Sequence, residues 1–321
     1  MRYDFAPLEG ITGHIYRNLH HRFFPGVDQY YTPFLSPTMH HKFTGSELQD
    51  ILPEHNKDVF IVPQILTKSA AGFSWAAGEL EAMGYNQVNL NLGCPSGTVV
   101  AKGKGAGMLA NLPALEVFLN EIFEKCRLKI SVKTRLGKND PEEFQAVLEL
   151  LNQYPIYELI VHPRVQKDFY KYPVRIEFFR KAAKNSKNPL CYNGDLKTSA
   201  DCAQTAEQFP HLRSLMLGRG LVANPNLVTE MKYGTILQKD TLHEFHDCLL
   251  AAYREAFQND RNAICRMKEC WQYMLSLFEN QEKAAKALRK AVDLGSYQAA
   301  VSKIFQERPF LSIDKRSPER L

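Results

Sequence analysis

The sequence of 321 residues predicts an α/β protein, a (β/α)₈ TIM barrel followed by a smaller all-helical C-terminal domain. Short runs rich in β-branched and aromatic residues recur eight times, and most are separated by stretches with the periodicity of an amphipathic helix. The runs are too apolar to face water on either side, which is typical of parallel strands covered by helices. Eight of them favour closure into a barrel, with an open doubly wound sheet as the alternative.

The eight predicted strands are short and evenly placed. They cover residues 3–6, 29–31, 59–64, 87–92, 129–134, 158–162, 190–193 and 214–218. Between them the clearest helical periodicity lies at residues 69–83, 112–125 and 141–151. Beyond residue 226 the strand signals stop, and helical patterns follow at residues 242–257, 261–278 and 281–292. We therefore expect a barrel domain over residues 1–238 and a helical domain over residues 239–321.

One interval is longer than the others. About 40 residues separate the start of the fourth strand from the start of the fifth, and they include glycine-rich segments at 93–97 and 103–107. A long loop inside a compact domain usually has a function. The second segment, with Lys102 and Lys104 on either side of a glycine, is basic enough to close over a large anionic substrate.

The composition excludes several classes of protein. With 45% hydrophobic and 23% charged residues, the chain is neither disordered nor membrane-embedded, and no run approaches the roughly 18 apolar residues of a spanning helix. Acidic residues near the amino terminus argue against a signal peptide, so we expect a cytoplasmic protein. Seven scattered cysteines without a Cys-x-x-Cys pair predict neither a disulfide framework nor a metal site. We expect a monomer without an obligate protein partner.

The charge of the chain is unevenly distributed. Residues 1–260 hold 28 residues of each sign, whereas residues 261–321 hold 12 basic and 7 acidic residues. The whole excess of +5 therefore lies in the helical tail. This bias indicates either a solvated helical face or a surface that binds a polyanion.

Chemically capable side chains follow seven of the eight predicted strands. Because active sites of barrel enzymes form at the carboxyl ends of the strands, we expect these side chains to lie together. After strands seven and eight, Gly194 and Gly218 with Arg219 indicate a phosphate site of the kind that barrels build there. Tight turns are the alternative explanation for the two glycines.

Lys133 ends a strand of β-branched residues, where an ammonium group is costly to bury unless it meets an anion. A flavin gains negative charge on reduction, and the amide of Gln64 could hydrogen-bond the same ring. A local ion pair is the alternative for Lys133. Cys94 lies between Gly93 and Pro95 on the long loop, where a thiol can donate a proton. We favour a general acid over a nucleophile, which would need a nearby histidine such as His162.

These motifs resemble those of a known family. The segments 6–10, 91–96, 133–137, 161–164, 193–195 and 218–220 resemble, in order and spacing, the tRNA-dihydrouridine synthases, and most of all their bacterial C-type subgroup. The resemblance extends to residues 266–271 of the tail. In two places the sequence departs from the family pattern: Pro163 stands where glycine is usual, and Met108 and Leu109 replace a commoner small-apolar pair.

The resemblance implies that NADPH or NADH reduces FMN, that a hydride passes to C6 of a uracil in the D-loop of tRNA, and that Cys94 protonates C5. It implies that tRNA binds to the basic helical domain. The residues implied for the flavin are Pro7, Leu8, Glu9, Gln64, Lys133 and His162, with Asn193, Gly194, Asp195, Gly218 and Arg219 at the phosphate end. Those implied for the uracil are Asn91, Arg135 and Tyr170.

Three alternatives remain open from the residues. Another FMN barrel oxidoreductase, of the dihydroorotate dehydrogenase kind, would act on a small molecule and would not need a basic tail. A non-catalytic RNA-binding barrel would bind RNA without flavin turnover. An aldolase or sugar-phosphate isomerase barrel would need a carboxylate or a Schiff-base lysine in a small closed site.

Overall fold

The computed structural model describes residues 1–311. Its eight parallel strands form a closed barrel in chain order, which confirms the predicted fold class. The strands are β1 (Arg2–Phe5), β2 (Gln29–Leu35), β3 (Ile61–Ile65), β4 (Gln87–Leu92), β5 (Lys129–Arg135), β6 (Leu159–His162), β7 (Leu190–Tyr192) and β8 (Ser214–Leu217). The barrel closes where β1 pairs with β8, with Arg2 opposite Ser214 and Phe5 opposite Leu217. Each strand overlaps its predicted segment.

Strand β2 is longer than the sequence predicts. The prediction ends at residue 31, before Pro33, because proline cannot donate to a strand ladder. In the structure β2 continues to Leu35, and its pairing with β3 shifts register between Tyr31 and Phe34. Pro33 lies inside this irregularity, where a missing N–H group is tolerated.

Helices cover the outside of the barrel and form the tail. They are α1 (His14–Phe23), α2 (Gly45–Ile51), α3 (Ala70–Ala82), α4 (Gly97–Ala101), α5 (Leu112–Lys125), α6 (Glu143–Leu151), α7 (Ile176–Asn185), α8 (Ser199–Gln208), α9 (Arg219–Ala223), α10 (Leu227–Tyr233), α11 (Lys239–Phe257), α12 (Asp260–Met274), α13 (Gln281–Lys290) and α14 (Leu294–Glu307). The three predicted barrel helices are α3, α5 and α6. Side-chain caps fix two of their starts: Ser69 Oγ accepts from Gly72 N and Asn111 Oδ1 from Ala114 N, both at 3.1 Å.

The tail consists of α11 to α14. The three helical patterns of the sequence correspond to α11, α12 and α13, and α14 follows them. Helix α11 packs on α1 of the barrel, where the ring of Phe245 lies 5.0 Å from that of Phe24. Within the tail, Tyr297 accepts a hydrogen bond from Trp271 Nε1 at 2.9 Å. Division of the chain into domains at residues 238 and 239 remains a prediction. Within residues 1–311, no helix is long and apolar enough to cross a membrane.

The two ends of the barrel differ. Its interior is filled by a small apolar cluster that includes Tyr31, Ile160 and Met216. At the amino end, Arg2 and Glu158 form a buried polar cluster in which Ser214 Oγ donates to Glu158 Oε1 at 2.8 Å. In residues 1–311 the amino end of the barrel is therefore closed by side chains.

Candidate active site

A cavity of about 410 Å³ lies at the carboxyl ends of the strands. All fifteen residues that the sequence singled out line it, including Cys94 from the loop after β4 and Lys133 from β5. The first loop contributes Pro7, Leu8 and Glu9. The structure thus brings the predicted residues together, whereas their individual roles stay predictions.

The loop of Cys94 is held from two sides. Asn91 Oδ1 accepts hydrogen bonds from the backbone N–H groups of Gly93 at 3.0 Å and Cys94 at 2.9 Å. On the other side, Ala106 N donates to Cys94 O at 3.1 Å. Gly105 has a φ of +57°, and a Cβ there would lie 3.0 Å from Cys94 Cβ. Only glycine fits both the backbone and the space, so the glycine-rich segment positions the thiol.

Asn91 belongs to a buried chain of amides. Its Nδ2 donates to Gln64 Oε1 at 2.7 Å, and Gln64 Nε2 donates to Asn89 Oδ1 at 2.7 Å. Asn89 Nδ2 then reaches Ser131 Oγ at 2.9 Å. The side chain that was predicted to contact the substrate base therefore fixes the Cys94 loop and orients Gln64. Gln64 keeps a second N–H for a ligand.

The pKa values of Cys94 and Lys133, which both line the cavity, are shifted in opposite directions. Burial raises the pKa of the Cys94 thiol, and the opposing effects of a backbone hydrogen bond at Ser96 and of Arg135 are smaller. Burial, with a smaller contribution from the charge of Arg135, lowers the pKa of Lys133 to about 8. At neutral pH Cys94 is therefore a protonated thiol and Lys133 is mostly a cation.

His162 is a neutral side chain with both nitrogens engaged. A guanidinium can only donate, so Arg164 Nη1 donates to His162 Nε2 at 3.0 Å, and His162 Nδ1–H faces Asn193 Oδ1 at 3.2 Å. Burial lowers the pKa of His162 well below its usual value, and Arg135 adds to the shift. His162 therefore has no free nitrogen to activate Cys94 as a nucleophile.

The far end of the cavity has an excess of positive charge. Asp195, in the left-handed region at φ +47°, accepts from Arg164 Nη2 at 2.5 Å and from Arg219 Nη2 at 3.0 Å. Lys197 also lines the cavity. Three cations thus surround one carboxylate. Arg164 follows Pro163 and is 2% exposed, so it holds Asp195 from behind and does not itself line the cavity.

Arg135 joins two loops at the mouth of the cavity. Its guanidinium donates to Gly93 O at 3.0 Å, to Val165 O at 2.9 Å and to Phe169 O at 3.0 Å. Phe169 has a φ of +49°, and its carbonyl accepts from both terminal nitrogens of Arg135. The ring of Tyr170, 51% exposed, lies 5.3 Å from the Arg135 guanidinium and 4.6 Å from that of Arg219. Arg135 therefore sets the position of Tyr170.

The sequence did not point to Tyr273, which lines the cavity from helix α12 of the tail. Its phenol lies in the electrostatic field of Arg219 and Tyr170. Helix α12 also contacts the first barrel loop, because a Cβ on Gly10 would lie 2.8 Å from Arg266 Nη1. A tyrosine beside the apolar face of a helix gives no signal of its own, so only the docking of the tail reveals it.

Comparison with known proteins identifies relatives over most of the chain. The sequence model of the family dihydrouridine synthase (Dus) matches residues 4–312. The probable tRNA-dihydrouridine synthase 1 of Synechocystis sp. is 27% identical over 71% of this chain and 63% of its own length. The tRNA-dihydrouridine(16) synthase of Pseudomonas putida is 27% identical over 86% of this chain and 88% of its own. The chain thus spans slightly less than two thirds of the Synechocystis relative.

Similar solved structures have the same fold at low sequence identity. An old yellow enzyme homologue from Zymomonas mobilis matches with a TM-score of 0.54 and 12% sequence identity. The match covers 76% of this chain and 92% of the chain of that homologue. Morphinone reductase in complex with tetrahydroNAD matches with a TM-score of 0.52 and 12% sequence identity. The match covers 74% of this chain and 88% of the morphinone reductase chain. At this level of identity the similarity concerns the fold alone.

Proposed function

The chain belongs to the dihydrouridine synthase family, and on that premise we propose that it is a tRNA-dihydrouridine synthase that hydrogenates the C5–C6 double bond of uridine in the D-loop. FMN would be its bound cofactor and NADPH or NADH its reductant. The observation that carries the proposal is Cys94, a protonated thiol on a loop fixed by Asn91 and Gly105 at the wall of the cavity. The names of the Synechocystis and Pseudomonas relatives support tRNA as the substrate.

The residues present fit a flavin nucleotide. The cavity volume lies in the range of about 300–1,000 Å³ that is usual for ligand sites. Lys133 and the second N–H of Gln64 would hold the polar edge of the ring. At the other end, Arg219 lines the cavity beside Asp195, and Arg164 behind Asp195 offsets its charge, as a phosphate requires.

When bound, FMN would supply hydride transfer from the nicotinamide to C6 of the uracil. The protein would supply the proton: the Cys94 Sγ–H bond breaks as a C–H bond forms at C5, and the thiolate is reprotonated from solvent. Burial keeps this proton on sulfur at neutral pH, while Lys133 and Arg135 stabilise the thiolate. Asn91 and Arg135 would act by holding the Cys94 loop and the ring of Tyr170 in place.

The tail would bind the tRNA backbone through α13. Lys283, Lys286, Arg289 and Lys290 are all exposed on this helix. A helix that presents four cations would release counterions from RNA on binding. The proposal also includes a monomeric protein in the cytoplasm.

The test is a visible spectrum of the purified protein, followed by anaerobic NADPH and then by unmodified tRNA. We expect a flavin band that bleaches with NADPH and returns with tRNA, and dihydrouridine in the recovered RNA. A matched tRNA that already contains dihydrouridine should leave the band bleached. Reoxidation by orotate but not by tRNA would instead assign the chain to small-molecule flavin barrels. No band after FMN supplementation would leave a binding protein.

A further inference from the structure

We propose that Lys68, Lys102 and Lys104 form a phosphate-binding cluster on the rim of the cavity that holds the RNA backbone beside the target nucleotide. The inference rests on the proposed function and extends it, because it places an RNA contact on the barrel itself. We call these three residues the rim lysines.

The rim lysines come from two loops at the carboxyl end of the barrel. Lys68 follows β3, and Lys102 and Lys104 lie beyond α4 in the loop after β4. A Cβ on Gly103 would lie 3.8 Å from Lys68 Nζ, so the ammonium of Lys68 rests against the backbone between the other two. Lys104 Nζ donates to Ser36 Oγ at 3.0 Å, which fixes its direction. Lys68 and Lys102 both lie close enough to Lys104 for their charges to lower its pKa, so the three side chains form one local group of cations.

The charge of the rim lysines is not balanced by an ion pair within the described part of the chain. Over residues 1–311, none of the rim lysines has a carboxylate within ion-pair distance. The nearest acidic influence on Lys104 is Glu47, whose oxygens already accept from Ser36 N and Thr44 N, each at 2.6 Å. Burial lowers the pKa of Lys104, and the charges of Lys102 and Lys68 lower it further. Like charges left together cost free energy, which a bound phosphate would relieve.

The segment that carries Lys102 and Lys104 contacts the loop of Cys94 directly. A Cβ on Gly105, the residue after Lys104, would lie 3.0 Å from Cys94 Cβ, and Ala106 N donates to Cys94 O at 3.1 Å. A nucleotide everted into the cavity leaves its two flanking phosphates outside. A phosphate held by the rim lysines would therefore lie just outside the cavity that receives the base, whereas the cations of α13 belong to the separate tail.

The experiment compares two triple variants of equal charge change. The test variant is Lys68→Gln, Lys102→Gln and Lys104→Gln. The control replaces three exposed lysines with Gln. They are Lys57, Lys184 and Lys187, which precede β3 and β7 at the opposite end of the barrel.

Affinity for unmodified tRNA is measured between 50 and 200 mM salt. Each lost phosphate contact lowers the slope of log K against log salt by about 0.7 to 0.9. We expect the slope to fall by about 2 in the test variant, with weaker binding, and to stay unchanged in the control.

Further readouts separate the possible causes. Flavin content and the rate of reduction by NADPH should match wild type in the test variant, and replacement of the three lysines with Arg should restore the slope. An unchanged slope in the Gln variant would overturn the inference. So would a raised KM for NADPH with an unchanged tRNA slope, which would assign the cluster to the phosphates of the reductant. If the wild-type protein binds tRNA but tRNA does not reoxidise its reduced flavin, the proposed function fails while the inference about the rim lysines can still be tested by binding.

Discussion

Cys94 differs from the other cysteines of the chain in its surroundings. Cys191, Cys202 and Cys270 are buried in apolar packing and do not line the cavity, whereas Cys94 is partly accessible from it. Its raised pKa keeps the thiol protonated, and the neighbouring cations Lys133 and Arg135 limit the shift. A thiol in this state suits proton donation better than nucleophilic attack.

Replacement of Cys94 with Ala should separate the two half-reactions. The variant should bind FMN and be reduced by NADPH at the wild-type rate, while reoxidation by tRNA should slow by about 10²-fold or more, as expected for loss of a general acid. Stopped-flow absorbance measures both steps. Cys202→Ala, which removes a buried thiol outside the cavity, is the matched control. Equal single-turnover rates for Cys94→Ala and wild type would remove the acid assignment.

At the residue scale the sequence predicts which side chains gather in the cavity, but not their hydrogen-bond partners within the protein. The contacts of Asn91 and Arg135 with a base stay predictions. Asn91 and Arg135 were expected to contact the base because an amide and a guanidinium suit its carbonyl groups. In the structure Asn91 caps the Cys94 loop, and Arg135 donates to carbonyls of the loops at residues 93 and 165–169. Such bonds depend on loop conformations that no periodicity encodes, for example the positive φ of Phe169.

At the scale of single elements, helix α13 has one buried apolar face and one exposed basic face. Ala284 and Leu288 are buried, while Lys283, Lys286 and Lys290 are exposed. Lys268 of α12 donates to Arg289 O at 3.3 Å and also contacts Ala291 O, so a cation lies at the carboxyl end of the helix where it is favoured. The helix is therefore fixed from its inner side, and its outer cations face solvent.

Substitution of Lys283, Lys286, Arg289 and Lys290 with Gln should weaken tRNA binding and lower its salt slope by up to about 3. The flavin spectrum and reduction by NADPH should not change, because none of these residues lines the cavity. Filter binding at several salt concentrations measures the slope. A control that replaces four exposed cations of the barrel's amino-end face, Lys57, Arg127, Lys184 and Lys187, should behave as wild type. A retained slope in the α13 variant would move the RNA surface elsewhere.

The predictability of each element follows from its local signals. Helix α5 was predicted at its observed bounds because apolar residues recur along one face, and the structure adds the cap of Asn111 at its start. Helix α14 was missed because its first turn contains Gly295 and Ser296, which are poor helix formers. Its start is set by Asp293, whose Oδ1 accepts from Ser296 N at 2.8 Å. Strand β2 exceeded its prediction because pairing with β3 accommodates Pro33.

At the scale of the whole molecule, the two ends of the barrel use charge differently. The open end gathers cations around a cavity that would receive anionic ligands. The closed end buries two carboxylates, Asp4 and Glu158, beside Arg2. Burial raises the pKa of Asp4, the charge of Glu158 adds to the rise, and together they outweigh the effect of Arg2, so that the pKa lies at about 7. The stability of the pairing between β1 and β8 is therefore linked to protonation of the Asp4 carboxyl group.

This coupling predicts the sign of a pH effect on stability. The pKa of Asp4 is higher in the folded protein than in the unfolded chain, so the folded state binds the proton more tightly. The contribution of Asp4 to the free energy of unfolding is therefore complete below the unfolded pKa near 4 and is lost as pH rises to about 7. Asp4→Asn, which resembles the protonated acid in shape and charge, should remove this loss.

Thermal unfolding of wild type and Asp4→Asn between pH 5 and pH 8 measures the effect. Other carboxyl groups shift the opposite way, such as Asp168 beside Arg175, so the absolute curve mixes several contributions. The difference in Tm between the two proteins isolates Asp4, and we expect it to move in favour of Asp4→Asn by several degrees as pH rises. Asp58→Asn, at an exposed site, should show a constant difference. A difference that instead favoured wild type at high pH would mean that the ion pair with Arg2 outweighs burial, and that the closed end of the barrel is held by charge.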